Sequence, residues 1–275
     1  MRKILIFGDI AALPRIIYRN YSLLCQFVKR NIDSRYRGSF LGILWSFIQP
    51  LLMLCIYTFV FSVIFKPRWA IGNDFGRGSF AVIMLCGMSF YQVFSETMNS
   101  CSRLIINRPG FVKKVVFPLE ILPLAQTLSI SILGSVWIIL LFLGSIFIIG
   151  KISFMQLLLP LVLLPFFLMT LGFAYFIASL GVYIRDISHL TGVVLQILFY
   201  MTPIFYPIQA VPERFRWIIY LNPLAMLIEQ ARKVFLYSKL PDWDILGILF
   251  LVSVVIMQLG LLWFLKTKKG FADVI

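Results

Sequence analysis

The chain has 275 residues, of which 61% are hydrophobic and 13% are charged, and its formal net charge is +14. Soluble domains carry about 25% charged residues, so this chain has too few charges to cover a surface that faces water. The positive charge does not indicate a nucleic-acid partner, because no soluble domain remains to present a basic groove; basic loops at cytoplasmic helix ends and anionic membrane lipids explain it better. The composition therefore predicts an all-α polytopic membrane protein.

Residues 1–37 form a basic segment ahead of the first apolar run. Between Leu13 and Arg37, apolar side chains alternate with arginines and lysines. This pattern is typical of an amphipathic helix that lies along the membrane interface, although a solvated helix would show it too. We therefore predict a cytoplasmic interface helix in this segment.

Six apolar stretches follow, and each is long enough to cross a hydrocarbon core of roughly 30 Å. They cover about residues 39–65, 79–103, 121–149, 154–184, 190–207 and 244–265. Six crossings leave both termini on one side of the membrane. Lysines and arginines are more numerous in the segments on that side, which predicts that both termini are cytoplasmic. No internal repeat or linker divides residues 1–275, so we predict a single domain.

The segment between the fifth and sixth spans, residues 208–236, is apolar but interrupted by Pro212 and by Asn222-Pro223. Its pieces are about 9–14 residues long, shorter than the roughly 17 that a membrane-spanning helix requires. Irregular backbone at membrane depth is stable only where it is buried in protein or lines a wet cavity. We therefore predict two short re-entrant helices in the outer leaflet.

The second span has one polar face. Gln92, Glu96 and Asn99 recur every three or four residues, together with Ser95 and Arg103. A carboxylate inside a membrane helix costs roughly 2.5–3.5 kcal/mol, so it usually faces a bundle interior or water. Two explanations stay open, namely an aqueous path and a hydrogen-bonding stripe between packed helices.

Aromatic and amide side chains follow one ridge of the first span and one of the fifth. These residues are Trp45, Gln49, Tyr57 and Phe61 in the first span and Gln196, Tyr200 and Tyr206 in the fifth. A packed core would explain them, since 16% of the chain is aromatic. A conduit for sugars would explain them as well, because sugar rings stack on aromatic faces and amides hydrogen-bond to hydroxyl groups.

Two basic elements lie on the predicted cytoplasmic side. Arg35 and Arg37 precede the first span, where they either anchor a helix end or meet a phosphate group, for which a guanidinium is well suited. The inner loop 104–120 contains a turn and then a short basic helix, and it either connects two spans or contacts a soluble partner. The residues that such a contact would use are Asn107, Arg108, Phe111, Lys113 and Lys114.

The sequence contains no recognisable catalytic or nucleotide-binding motif. The nearest approach to a phosphate-binding loop, from Gly144 to Lys151, has five residues between its glycines instead of four and lies in an apolar span. The 11 acidic residues are spread thinly over the chain, which argues against a membrane enzyme acting on polyprenyl phosphates. We therefore expect no catalytic residue, no metal site and no cofactor in this chain.

Three stretches are distinctive in combination: SRYRGSFLGILWSFIQP at 34–50, NRPGFVKKVVFPLEILP at 107–123, and GVYIRDISHLTGVVLQILFYMTPIFYP at 181–207 followed by LNPLAMLIEQAR. Together they resemble the ABC-2 type permeases that export polysaccharides, a family that handles lipid-linked O-antigen, capsular polysaccharide and teichoic acid. The resemblance covers nearly the whole chain. It implies a transporter subunit of the bacterial inner membrane that has no ATPase site of its own.

The resemblance also implies an assembly. Two permease subunits form a homodimer with the substrate path between them, and a separate ATP-binding cassette subunit lies below each and binds the ATP and Mg²⁺. Loop 104–120 would be the coupling helix, and the helices of 208–236 would form an outer gate. Arg35 and Arg37 would meet the undecaprenyl-pyrophosphate of the substrate.

Two alternatives to polysaccharide export remain besides the membrane enzyme. One is a relative in the same superfamily that exports drugs or small lipids, against which the aromatic ridges favour a sugar cargo. The other is a passive channel, which would show flux in the absence of any ATPase.

Overall fold

The structure, a computed structural model, describes residues 12–60, 79–113, 117–150 and 153–275. Within these ranges the chain is helical, without strands, and its α-helices are joined by turns and short 3₁₀ or π-helical segments. The helices are α1 Ala12–Arg19, α2 Tyr21–Arg35, α3 Trp45–Thr58, α4 Ser79–Ser102, α5 Pro109–Lys113, α6 Ile121–Gly144, α7 Leu159–Tyr183, α8 Ile187–Met201, α9 Glu213–Tyr220, α10 Pro223–Phe235, α11 Trp243–Thr267 and α12 Phe271–Val274.

Four helical stretches in the described ranges are long and apolar enough to cross a membrane: Phe80–Ser102, Ile121–Ile148, Phe154–Tyr183 and Trp243–Val274. Two shorter apolar stretches, Gly42–Thr58 and Ile187–Met201, fall on the first and fifth predicted spans. The prediction of an all-helical, multi-pass membrane protein is confirmed. The count of six spans stays a prediction, and residues 61–65 of the first predicted span lie outside the described ranges.

The uncharged run of the first predicted span begins at Ser39, whereas the regular helix α3 begins at Trp45. The segment between α2 and α3 contains Gly38 with φ 83° and Gly42 with φ 52°. Glycine adopts this left-handed region without the steric penalty of a Cβ atom. The two glycines therefore separate the interface helix α2 from the membrane helix α3.

Helix α4 lies at the centre of the subunit. Every side chain from Phe80 to Phe90 that bears a Cβ atom is buried, and α3, α6, α7, α8 and α10 all pack against this helix. Helix α11 lies at the periphery and forms its most extensive contact with α7. This pair crosses at Gly172 and Gly260, where a Cβ atom at position 260 would overlap the carbonyl oxygen of Gly172. Backbones can approach this closely only where both residues are small.

The two ends of the bundle have different structures. At one end, Lys268 Nζ is 2.8 Å from Glu120 Oε2, and Tyr183 donates a hydrogen bond to the carbonyl oxygen of Thr267 at 2.7 Å. Helix α12 packs against α5, and Phe111 of α5 contacts Phe27 of α2. This end, here called the inner end, therefore carries α2, the loop with α5, and the C-terminus. The short helices α9 and α10 lie at the opposite, outer end, where Gln156 Nε2 donates to the carbonyl oxygen of Phe235 at 3.3 Å.

Helices α9 and α10 occupy the segment in which the sequence predicts two short helices. They have 8 and 13 residues, too few for either to cross a membrane. Asn222 separates them because its Oδ1 accepts hydrogen bonds from the backbone N–H groups of Leu224 and Ala225, and this caps α10. Helix α10 packs against α4 and α7, so it is held inside the bundle.

Candidate transport path and coupling surface

An ion pair between Arg35 and Glu96 lies in a small polar cavity near the inner end, here called the Glu96 cavity. Arg35 Nη1 donates a hydrogen bond to Glu96 Oε1. The cavity has a volume of about 50 Å³, and Gln49 of α3, Gln92 of α4 and Trp137 of α6 also line it. The structure thus brings together two residues of the predicted polar face of the second span, one amide of the first span and one of the two predicted arginines.

Close packing of α4 against α6 determines the shape of the Glu96 cavity. A Cβ atom at Gly134 would overlap the Val93 side chain, so the two helices are in direct contact here. Val93 follows Gln92 and precedes Glu96 by less than one helical turn. The crossing therefore holds both polar side chains against the cavity.

A second and larger cavity, here called the Arg108 cavity, adjoins the first and shares Arg35 with it. Its volume is about 270 Å³, and Asn31, Arg108 and polar side chains of α4 and α6 line it. Arg108 Nη2 donates a hydrogen bond to Asn31 Oδ1 at 3.0 Å, which joins the inner loop to α2. Burial lowers the pKa of Arg108, and the nearby positive charge of Arg30 lowers it further.

The predicted aromatic residues gather nearer the outer end, in a chain of ring contacts. The Tyr57 ring centroid is 5.5 Å from that of Phe205, which is 5.1 Å from Phe199, and Phe199 is 5.3 Å from Tyr200. Tyr206 donates a hydrogen bond to the carbonyl oxygen of Tyr200 at 2.9 Å. Tyr57, Tyr200 and Tyr206, predicted from two separate spans, therefore belong to one aromatic cluster.

The remaining predicted path residues do not line either of these cavities. Trp45, Asn99 and Gln196 are exposed on the surface of the single subunit. Arg37 is exposed in the turn that follows α2, so the structure does not pair it with Arg35. Phe61 lies outside the described residues.

An aromatic cluster joins the coupling loop to the interface helix. Phe27 of α2 contacts Phe111 at 5.5 Å and Phe117 at 5.3 Å between ring centroids, and the Arg30 guanidinium lies 4.9 Å from the Phe27 ring centroid. Phe27 is 7% exposed, so α2 and α5 are packed together as one unit.

The predicted coupling residues divide into two groups. Arg108 and Phe111 make the intramolecular contacts described above, which join α5 to α2. Asn107 and Lys113 are exposed and remain free to contact another protein. Lys114 lies outside the described residues.

A buried arginine in the outer helices was not predicted from the sequence. Arg232 of α10 is 0% exposed; its Nη1 is 2.6 Å from Glu229 Oε1, and its Nη2 donates to the carbonyl oxygen of Ile204 at 3.1 Å. A Cβ atom at Gly87 would be 3.2 Å from the same Nη2, so the guanidinium lies against α4 as well. The available signal was a Glu and an Arg three residues apart in a short helix, an arrangement that places both charges on one face.

Comparison with known proteins identifies the family. Residues 22–236 match the ABC-2 type transporter family. This chain belongs to that family. ABC-2 proteins are the membrane subunits of transporters and not enzymes themselves, and the family implies an ATP-binding cassette partner.

Named ABC-2 permeases are similar over nearly their full length. An O-antigen export system permease protein RfbA of Klebsiella pneumoniae is 28% identical over 259 residues, which cover 93% of this chain and 95% of the relative. An RfbA of Myxococcus xanthus is 28% identical over 268 residues, 95% of this chain and 98% of the relative. The polysialic acid transport protein KpsM of Escherichia coli is 24% identical over 237 residues, 84% of this chain and 88% of the relative.

Proposed function

We propose that this chain is the permease subunit of an ABC transporter that exports a lipid-linked polysaccharide across the bacterial inner membrane. The observation that carries the proposal is the similarity to two O-antigen export permeases along more than nine-tenths of the chain. O-antigen is accordingly the first cargo to test, and capsular polysaccharide and teichoic acid come next. The polar and aromatic residues of the bundle suit a sugar polymer.

Six spans with both termini in the cytoplasm accommodate the helices best. The loop with α5, the interface helix and the C-terminus all lie at the inner end, as an even number of crossings requires. The basic residues of this end agree with a cytoplasmic location, because loops rich in lysine and arginine remain inside. Helices α3 and α8 would complete the six spans.

A homodimer with the path between its subunits would cover polar side chains that the single subunit exposes. Gln49, Asn99 and Gln196 are exposed on helices of the bundle. Polar groups that face lipid are unfavourable, whereas they are stable against protein or in a water-filled path. These residues, with Glu96 at the inner end and Tyr200 nearer the outer end, would line that path.

ATP hydrolysis in a separate subunit would drive export. Two copies of the ATP-binding cassette subunit would bind ATP and Mg²⁺, and each would contact one permease through Asn107, Lys113 and Lys114. Because α5 packs against α2 through Phe27 and Phe111, movement of α5 would be transmitted to the interface helix. Helices α9 and α10 would then open as the outer gate.

The pyrophosphate of the carrier lipid would enter near Arg35 and Arg37. A guanidinium forms paired hydrogen bonds with phosphate oxygens. In the structure Arg35 is bonded to Glu96, so an arriving phosphate would compete with that carboxylate for the guanidinium.

The cargo is tested by deleting the gene in its native host and measuring polymer at the cell surface and lipid-linked polymer inside the cell. Polysaccharide export predicts loss at the surface with accumulation inside, and restoration by the intact gene. Loss at both places would instead support a membrane enzyme of glycan synthesis. Unchanged polymer at both places would refute the proposal and favour an exporter of drugs or small lipids.

The coupling surface is tested by copurification of the ATPase subunit with the tagged permease. Lys113→Glu reverses an exposed charge on α5 and should reduce the amount of copurified ATPase. Lys266→Glu makes the same change at an exposed position of the inner end and serves as the matched control. Equal copurification with both variants would argue against α5 as the docking element.

A further inference from the structure

We propose that the Arg108 cavity is a binding site for the phosphate group of a membrane lipid. The proposal goes beyond the export function, because it assigns a ligand to Asn31 and Arg108 whatever cargo the transporter carries. It also gives Arg108 a role besides contact with an ATPase.

The cavity is lined by arginines and uncharged polar side chains, and none of the carboxylates that the structure describes lines it. Two arginines, Arg35 and Arg108, face amide side chains from α2 and α6 and serine side chains from α2, α4 and α6. Arginine is always a donor and never an acceptor, and an amide can donate through its NH₂ group. The hydroxyl groups of Ser34 and Ser129 already donate to backbone carbonyl oxygens, so the arginines and amides supply the donors for a ligand. Such a lining suits a ligand that only accepts hydrogen bonds, as an ionised phosphate ester does.

Two buried donors in this cluster have no acceptor within the part of the chain that the structure describes. They are Asn31 Nδ2 and Arg108 Nη1. Asn31 is 9% exposed, and its Oδ1 already accepts from Arg108 Nη2. A buried donor left without an acceptor costs about 1–3 kcal/mol, so the pair of donors favours a ligand that supplies acceptor oxygens.

The local charge also favours an anion. Arg30, Arg35 and Arg108 converge on the end of α2, and the only carboxylate bonded to this group in the described ranges is Glu96, which pairs with Arg35. Burial and the charge of Arg30 both disfavour the protonated form of Arg108 and lower its pKa. A phosphate oxygen would form charge-assisted hydrogen bonds with the guanidinium and offset both effects.

The position and size of the cavity agree with a lipid headgroup. Ser100 lies in the last turn of α4, and Gln126 lies in the second turn of α6, so the cavity is at the inner ends of two membrane helices. Its volume of about 270 Å³ is several times larger than the roughly 30 Å³ that one water molecule occupies in the liquid. A partly hydrated phosphate therefore fits, and the acyl or prenyl chain would extend into the bilayer.

The test measures binding of paired lipids to the purified transporter complex by native mass spectrometry, without ATP or glycan. Each pair differs only in phosphate: dioleoyl phosphatidic acid against dioleoylglycerol, and undecaprenyl phosphate against undecaprenol. We expect the phosphate-bearing lipid to bind about tenfold more tightly, the factor expected for about one charge-assisted hydrogen bond. A preference in the first pair identifies bilayer phospholipid as the source, and a preference confined to the second identifies the carrier lipid.

Variants connect this preference to the cavity. Arg108→Gln and Asn31→Leu should each reduce the phosphate preference to near unity, while Arg108→Lys should retain part of it because the charge remains. Arg103→Gln is the matched control, since Arg103 is an exposed arginine at the same end that donates to Ser188 Oγ and does not line the cavity. A thermal unfolding temperature close to that of the unmodified complex shows that each variant is folded.

Equal binding of both members of each lipid pair by the unmodified complex would overturn the proposal. A phosphate preference that persists in both folded variants Arg108→Gln and Asn31→Leu would overturn it too. Neither result bears on polysaccharide export, which is measured separately in cells.

Discussion

Arg35 and Glu96 form an ion pair that joins the interface helix α2 to the central membrane helix α4. Each charge would be unfavourable alone at the edge of a bilayer, and the pair stabilises both. The two side chains are 36% and 34% exposed, so water screens their attraction. The pair is therefore well suited to break and re-form during a transport cycle.

Glu96→Gln should impair export much more than it impairs folding. An exposed ion pair contributes about 0–1 kcal/mol to stability, so the thermal unfolding temperature of the purified protein should change little. Export should fall severalfold, because α2 loses its bond to the span that carries the predicted path. Both quantities are measured on the same variant, by surface polymer in cells and by thermal unfolding in detergent.

Asp33→Asn is the matched control for this prediction, since Asp33 is an exposed acid on α2 that does not line the Glu96 cavity. The charge-reversed double variant Arg35→Glu/Glu96→Arg should recover part of the export that either single reversal loses. Normal export by Glu96→Gln would show that the bond has no role in transport.

Much of the fold could be predicted from the sequence because membrane helices are determined by local composition. Runs of apolar residues and their lengths predict the long helices α4, α6, α7 and α11, and Asn222-Pro223 predicts the break between α9 and α10. The meeting of Arg35 with Glu96 could not be predicted in this way. Sequence periodicity places each side chain on a face of its own helix, but it does not determine which faces of distant helices pack together.

The outer end shows the same limit more clearly. Arg232 could be counted as an ordinary basic residue of an outer segment, because its burial depends on contacts with Gly87 and with Ile204, both far away in the chain. The aromatic residues Tyr57 and Tyr200 show the same dependence, because they meet in one cluster through contacts between two distant segments of the chain.

Gly260→Ala should destabilise the protein, because the added methyl group would overlap the backbone of α7 at Gly172. Overpacking of this kind typically costs about 1–3 kcal/mol, and here the obstacle is backbone, which cannot rotate away. The matched variant Gly247→Ala lies in the same helix with nothing within 4 Å of the added atom. It should be neutral or slightly stabilising, since alanine favours helix by about 1 kcal/mol over glycine.

Thermal unfolding of the two glycine variants in the same detergent tests this packing. The expected order of unfolding temperatures is Gly260→Ala below the unmodified protein, with Gly247→Ala equal to it or above. If both variants unfold at the same temperature, α7 and α11 do not cross at Gly172 and Gly260.

Acid should weaken the connection between α10 and α11. Lys233 donates a hydrogen bond to Asp242 and, with a contribution from Gln230, lowers the pKa of the Asp242 carboxyl group. Because the pKa of Asp242 is lower in the folded protein, its bond with Lys233 stabilises the fold fully above the pKa of an unfolded aspartate, about 3.9. This stabilisation is lost as the pH falls through the pKa that Asp242 has in the folded protein. Proteolysis between α10 and α11 should therefore accelerate in that acidic range.

Asp242→Asn should remove most of this acid dependence, because the asparagine does not titrate. Asp244→Asn, which changes an exposed acid two residues further on, should leave the dependence as it is in the unmodified protein. Proteolysis rates measured from pH 7 downward with an acid-tolerant protease compare the three proteins. If proteolysis of all three proteins accelerates equally in acid, groups other than Asp242 cause the acceleration.

The ion pair of the buried Arg232 with Glu229, which is 19% exposed, should be the most sensitive charged site among those described above. Removal of one partner from a buried ion pair costs about 3–5 kcal/mol, because the other charge stays buried without compensation. Arg232→Met and Glu229→Gln should therefore each lower the thermal unfolding temperature strongly. The double variant should lose less stability than the two single variants lose in sum, since neither charge then remains in the apolar interior.

Arg214→Met is the control for this pair, because Arg214 is an exposed arginine in the neighbouring helix α9 and its loss should change the unfolding temperature little. Arg232 also bonds to the carbonyl oxygen of Ile204 just after α8, so Arg232→Met should loosen α10 from that span. Accessibility of a cysteine placed at position 204 to a membrane-impermeant thiol reagent measures this loosening. Additive destabilisation in the double variant, with unchanged accessibility at position 204, would show that Arg232 does not hold the outer helices in place.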